Sequence, residues 1–120
     1  MSPPVATGGD GVCAAHGFSA GVAAADIRGD GDVERCDVAI VASERPAAAA
    51  GVFTRNTVKA APVVISQLTL RRGAPVSAVL INAGNANACT GPAGEAAVRA
   101  TVERAAAELR SEERRVGKEC

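Results

Sequence analysis

Only two aromatic side chains, Phe18 and Phe53, occur in this chain of 120 residues, and that scarcity limits the interior more than any other feature. Without rings to fill volume, the core must be assembled from Val, Ile, Leu and much Ala, enough for one small domain with a modest interior. The same scarcity removes the stacking platforms on which single-stranded nucleic acid is bound. Thirteen basic residues balance thirteen acidic ones, for a formal net charge of zero. A domain devoted to phosphate backbone is not built that way.

The four cysteines, Cys13, Cys36, Cys89 and Cys120, are widely spread and form no Cys-x-x-Cys pair. Cys13 and His16 have a ligand-like gap, yet a zinc site needs four ligands and no second pair follows, so no metal is expected and the thiols read as buried or idle. The opening MSPPVATGGDG has no basic stretch leading into an apolar one, as a signal peptide requires. No run of eighteen apolar residues exists. The expectation is a cytoplasmic protein with reduced thiols and no membrane or nucleic-acid partner.

Residues 1–12, rich in Pro, Gly, Ser and Thr, read as a flexible lead-in. Next come short apolar pieces separated by glycine, then RGDGD at 28–32, a turn signal because Gly supplies positive φ and Asp bonds local backbone. That pattern predicts a hairpin, with one strand near 18–27 and its partner in DVAIVAS at 37–43, and a further strand in AAGVFT at 49–54. From Pro62 to Arg71 the spacing of Val63 or Val64, Ile65 and Leu68 is helical, Pro62 suits a first turn, and Gly73 can end the segment. The continuous apolar run in APVSAVLIN reads as a buried strand. Beyond it, PAGEAAVRATVERAAAEL places Val98, Val102, Ala105 and Leu109 on one helical stripe, with Glu95 and Arg99 as an i, i+4 pair on the other side. Strands followed by helices imply a layered α/β fold.

Residues 110–120, RSEERRVGKEC, break this composition with seven charged residues and no Ala. The peptide is also an in-frame translation of a common sequencing-adapter sequence. Residues 13–109 are therefore expected to form the authentic partial domain and 110–120 a non-native tail.

Several motifs reduce to polar turns. RGDGDVERCDVA sets oxygens at Asp30, Asp32 and Glu34 as a calcium loop would, but Arg35 stands where glycine is needed and Val41 where a bidentate Glu is needed. Neither a dinucleotide fingerprint nor a P-loop occurs around Gly84 and Gly91. Lys59 reads as a surface lysine leading into a helix. The stretch NAGNANACTG, 82–91, is different, because three asparagines, two glycines and a threonine crowd one crossing between a strand and a helix. Pro92 has no N–H, so the donors at this corner are the Gly91 amide and the Thr90 hydroxyl. Two readings stand on spacing alone: an ordinary N-cap, or donors at the positive end of a helix dipole that serve an anion or a developing oxyanion. Asn82, Asn85 and Asn87 satisfy the loop's own backbone in either case.

In order along the chain, GFSAGVAAADIR, DVAIVASERPAAAAGVFTRNTVKAAPV and LINAGNANACTG closely resemble the N-terminal part of the ornithine acetyltransferases of arginine biosynthesis, also called bifunctional glutamate N-acetyltransferases. The likeness spans roughly residues 16–100. It implies a layered fold like that of the N-terminal-nucleophile enzymes, of which only the N-terminal, α-chain part is present here. The implied activity moves an acetyl group from N-acetylornithine to glutamate through an acetyl-threonine intermediate, without a cofactor, although some members also take acetyl from acetyl-CoA. The family precursor cuts itself into α and β chains that remain together as a hetero-oligomer, and the threonine opening the β chain is the nucleophile. Thr90 and Gly91 match the family's oxyanion-stabilising pair. The nucleophile, the cleavage junction and the substrate-binding residues would all lie beyond Leu109, so the polypeptide as written is expected to be inactive alone. The alternatives are a non-catalytic α/β binding or interaction domain and, less well matched, a self-processing amidase or aminopeptidase.

Overall fold

In a computed structural model the backbone is described for residues 5–7 and 11–119, and the side chains for residues 11–110. Six elements and one short turn of 3₁₀ helix, Gly11–Cys13, are found among the described residues. They are β1 (Val5–Thr7), β2 (Phe18–Ala23), β3 (Val38–Ala47), α1 (Ala61–Arg71), β4 (Val76–Asn82) and α2 (Gly91–Glu119). The four strands form one sheet in the order β1-β2-β3-β4, antiparallel throughout. Sequential strands thus lie side by side, with α1 carried in the connection from β3 to β4.

The predicted hairpin forms, with Phe18 opposite Ser43 and Ala23 opposite Val38. Its first strand stops at Ala23 rather than continuing toward residue 27, because the carboxylate of Asp37 captures the following backbone. Asp37 accepts hydrogen bonds from the amides of Ala25 (2.6 Å) and Ile27 (2.8 Å), while its own amide donates to the Ala23 carbonyl (3.1 Å). Its carbonyl accepts from Ala83 (2.8 Å), at the end of β4. One residue therefore ties the hairpin connection to the strand two places further along the sheet. The RGDGD turn is held by Arg35, which pairs with Asp30 (2.7 Å) and Asp32 (2.9 Å), and by Asp side chains that accept nearby amides. Its carboxylates are thus engaged by the turn itself.

Three expectations require correction. The lead-in at 1–12 contributes β1, since Val5, Ala6 and Thr7 pair along the free edge of β2 opposite Gly21, Ala20 and Ser19. The segment 49–54 forms no strand. A Cβ at Gly51 would stand 2.9 Å from Leu70 Cδ1 and 3.1 Å from Phe53 Cζ, so the chain here folds its ring over a glycine and against α1 instead of extending. Finally, β4 is not buried on both faces. Val79 and Ile81 are 54% and 51% exposed, whereas Val76, Ala78 and Leu80 are half-buried.

That alternation exposes the structural condition of the chain. Direct pairing puts Phe18, Ala20 and Val22 of β2, Ala39 and Val41 of β3, and Val79 and Ile81 of β4 on a common face. The helices lie against the opposite face, which carries Val38, Ile40 and Leu80. β3 runs past the predicted end at Ser43 with an irregular register against β4 between the Ala42–Ala78 and Ala47–Val76 pairs, while Ser43 stays paired with Phe18 of β2. Pro46, lacking an N–H, falls where the ladder is broken. Among the described residues only Cys13, Asp37 and Gly94 are buried, and no large side chain is fully enclosed.

Both helices start and stop as local chemistry requires. Pro62 stands in the first turn of α1, and Gly73, at φ +69°, closes its end by donating to the Leu70 carbonyl (3.1 Å). On α1 the inward contact is made by Pro62 and Ile65, while Leu68 is 39% exposed. On α2 the stripe of Val98, Ala105 and Leu109 is half-buried and Val102 is 46% exposed. Arg99 meets Glu95 at 2.9 Å, as the spacing anticipates. The backbone of α2 continues through the compositional break to Glu119, a stretch of Glu, Arg and Lys with good helix propensity.

Two outcomes follow. An isolated 120-residue chain should self-associate and bind a dye such as ANS through its open sheet face, and Val79→Lys with Ile81→Lys should reduce both. Size-exclusion chromatography with light scattering checks this, and a monomer with a sharp cooperative melt would contradict it. The amides of Ile27 and then Ala25 hold the Asp37 carboxyl below the usual carboxylate range. A depressed folded value means the contribution is complete above the unfolded value of about 3.9 and is lost as pH falls through the folded one. Hydrogen exchange at residues 25–27, measured in a full-length protein carrying this segment, should therefore accelerate below about pH 4, and Asp37→Ala should accelerate it at neutral pH too.

Candidate functional site

The crossing from β4 to α2 is an irregular loop held by its own asparagines. The Asn82 side-chain amide donates to the Asn85 carbonyl (2.7 Å), and the Asn85 side-chain oxygen accepts from the Asn87 amide (2.9 Å). The Asn87 carbonyl in turn accepts from the Thr90 hydroxyl (3.1 Å). Left-handed backbone recurs at Gly84 (φ +100°), Asn87 (+50°), Cys89 (+57°) and Gly91 (+63°). Glycine is needed at 84 for space as well, since a Cβ there would lie 2.8 Å from Cγ of Arg28.

Thr90 immediately precedes the helix, and its carbonyl accepts from the Gly94 amide (3.4 Å). Its hydroxyl does not act as an N-cap acceptor: it donates backwards to Asn87, and the side chain lies over the first turn of α2. A Cβ at Gly94 would overlap it, coming to 2.6 Å from Thr90 Cβ. The Gly91 amide has no acceptor among the described residues. The corner thus offers one free backbone N–H and one hydroxyl whose proton is lent to a neighbouring carbonyl, at the positive end of a long helix.

Beside this corner a cleft of about 240 Å³ opens between the covered face of the sheet and the two helices. Val38 and Leu80 form its floor, Ile65 and Val98 its walls, and Asn85 and Asn87 its polar end. Thr90 and Gly91 are not among its lining residues. Lys59 stands in the coil before α1 and likewise does not line it. Cys13 is buried, Cys36 and Cys89 are exposed, and all three are free thiols; Cys120 lies outside the described residues. Among the described residues there is no cluster of His, Cys, Asp and Glu of metal-binding size, and no helix is long and apolar enough to cross a membrane.

Asp37 and Arg28 escape a sequence reading. A lone Asp before an apolar run is indistinguishable from a turn residue, and nothing in the spacing ties Arg28 to a glycine 56 positions away. The asparagine cross-links were signalled by the density of amides between a strand and a helix.

The model of the ArgJ family matches residues 19–118. The chain is 58% identical over 83 residues to arginine biosynthesis bifunctional protein ArgJ 1 of Streptomyces clavuligerus, covering 68% of this chain and 21% of that protein. It is 53% identical over 100 residues to arginine biosynthesis bifunctional protein ArgJ of Mycobacterium tuberculosis, covering 82% and 24%. The crystal structure of ornithine acetyltransferase from M. tuberculosis, complexed with ornithine, superposes with a TM-score of 0.74 at 52% identity, over 82% of this chain and 49% of that one. ArgJ of Bacillus halodurans gives a TM-score of 0.60 at 36% identity, over 68% and 40%. The chain therefore spans about a quarter of the length of these curated relatives and about half of the solved M. tuberculosis chain. With the family model covering most of its length and the fold shared with two solved members, this chain belongs to the ArgJ family.

Proposed function

We propose that the protein to which this chain belongs transfers an acetyl group from N-acetylornithine to glutamate, regenerating N-acetylglutamate for arginine biosynthesis in the cytoplasm, and that Thr90 and Gly91 stabilise the oxyanion of that reaction. The observation that carries the reading is the free Gly91 amide beside the Thr90 hydroxyl at the start of α2. Backbone N–H groups so placed favour negative charge, and they need no rearrangement when it develops. The relative crystallised with ornithine bears on the substrate side, because ornithine is the amine left when N-acetylornithine surrenders its acetyl group.

Chemically the transfer runs in two halves. A threonine hydroxyl outside these 120 residues attacks the acetyl carbonyl of N-acetylornithine, its proton passing to a nearby amine. The carbonyl oxygen becomes an oxyanion that accepts from Gly91 N–H and from the Thr90 hydroxyl, which exchanges the Asn87 carbonyl for it. Collapse expels the ornithine amine, protonated, and leaves acetyl on threonine. The amine of glutamate then attacks the ester through a second oxyanion in the same place, and threonine is released. No cofactor takes part, and acetyl-CoA serves as an alternative donor in the bifunctional members.

The same stretch of this chain is 24% of the M. tuberculosis relative but 49% of the solved M. tuberculosis chain, so the solved chain is about half as long as that relative. A precursor divided into α and β chains that stay associated accounts for this, with this chain in the α part and the threonine nucleophile at the head of the β part. The open sheet face agrees with a missing partner layer.

In a full-length protein carrying this segment, Thr90→Ala should lower kcat roughly a hundred- to a thousand-fold with KM little changed, as loss of one oxyanion donor does. Steady-state assay of ornithine release checks it, and transfer at the parent rate would remove Thr90 from the mechanism. The isolated 120-residue chain should release no ornithine from N-acetylornithine with glutamate present; turnover above the protein-free rate would contradict the placement of the nucleophile elsewhere.

A further inference from the structure

We propose that Asn85 is a positioning residue for the Thr90–Gly91 pair, setting the loop so that both donors stand ready before substrate arrives; the proposal rests on the oxyanion reading of that pair. Four of the eight residues from 84 to 91 have left-handed backbone, two of them, Asn87 and Cys89, with side chains that pay a steric penalty for it. Such a loop does not hold its shape by backbone preference alone. Its shape is held by three side-chain bonds, and two of them meet at Asn85.

The backbone oxygen of Asn85 is fixed by the Asn82 side chain (2.7 Å), and Asn82 is the last residue of β4. The adjoining Ala83 amide is fixed to the Asp37 carbonyl (2.8 Å), so the start of the loop is anchored to the sheet on both sides. From that anchored point the Asn85 side-chain oxygen reaches two residues forward to the Asn87 amide (2.9 Å). This Asx turn holds the Asn87 amide in place, directly before the left-handed bend at that residue. The bend aims the Asn87 carbonyl at the Thr90 hydroxyl (3.1 Å). Asn85 thus carries the constraint forward from the Asn82 side chain, at the rigid end of β4, to the catalytic hydroxyl. It does this without contact to the reacting atoms, so its effect appears in the rate rather than in ground-state binding.

The test uses a full-length protein carrying this segment. Asn85→Ala should lower kcat for acetyl transfer roughly ten- to a hundred-fold, the scale of a donor misplaced by about an ångström, with KM for N-acetylornithine within about threefold. Asn85→Ser, whose hydroxyl can accept the same i+2 amide, should recover most of the rate, while Asn85→Gln, with its oxygen one methylene too far out, should behave like Asn85→Ala. The Ser and Gln pair decides the matter even if the Ala variant fails to fold. Thr90→Ala combined with Asn85→Gln should be much less impaired than the product of the two single effects, because Asn85 acts through Thr90. Independent multiplication, a rise in KM at constant kcat, or equal rates for Ser and Gln would each overturn the proposal. If Thr90→Ala itself runs at the parent rate, the oxyanion reading is what fails; if Thr90→Ala is slow and Asn85→Gln is not, only the positioning role is lost.

Discussion

The carboxylate of Asp37 is the contact on which the rest of this arrangement depends. A carboxylate bonded to two backbone amides is a charge-assisted clamp, stronger than a neutral pair and selective for one chain path. Here it ends β2, turns the chain through Ala25 and Ile27, and frees the Asp37 carbonyl to hold Ala83. The RGDGD turn projects from this clamp, braced by Arg35. Arg28 leaves the clamp on the other side and lies across Gly84, at the mouth of the site loop. A buried residue immediately before β3 therefore also fixes where the polar crossing after β4 begins.

Much of the architecture was legible because it rests on periods and terminators. Pro62 and Gly73 bracket α1, the Val98 to Leu109 stripe marks α2, and alternating residues on either side of RGDGD announce the hairpin. What escaped the sequence depends on three-dimensional neighbours. The run at 49–54 has the composition of a strand, but its glycine lies under Phe53 and Leu70, a contact no local pattern reports. The continuous apolar run in β4 suggests burial on both faces, yet only one face is covered here. For the site, spacing located the donors at the corner but left both an N-cap and an anion site open, the N-cap being the plainer reading. The backward bond from Thr90 to Asn87 separates the hydroxyl from the N-cap role, and that bond depends on a bend at Asn87 that is not encoded in spacing.

The exposed half of the sheet and the paired donors of the loop express the same condition. A thin core of Val, Ile, Leu and Ala cannot close on four strands and two helices, and no large side chain is fully enclosed among the described residues. Membership in a family whose curated proteins are about three and a half times as long gives this a simple physical meaning. The apolar face is material for a further layer, and in the proposed oxyanion role the donors of the loop would be one side of a site completed by residues outside these 120.

Gly94 gives the first turn of α2 a value that stability alone would not assign. Glycine within a helix costs about 1 kcal/mol relative to alanine, and replacement by alanine is an ordinary route to a sturdier protein. Here the missing methyl is the room in which the Thr90 side chain rests. A thermostabilising design that fills this glycine would therefore tighten the scaffold and wedge the Thr90 side chain out of its seat.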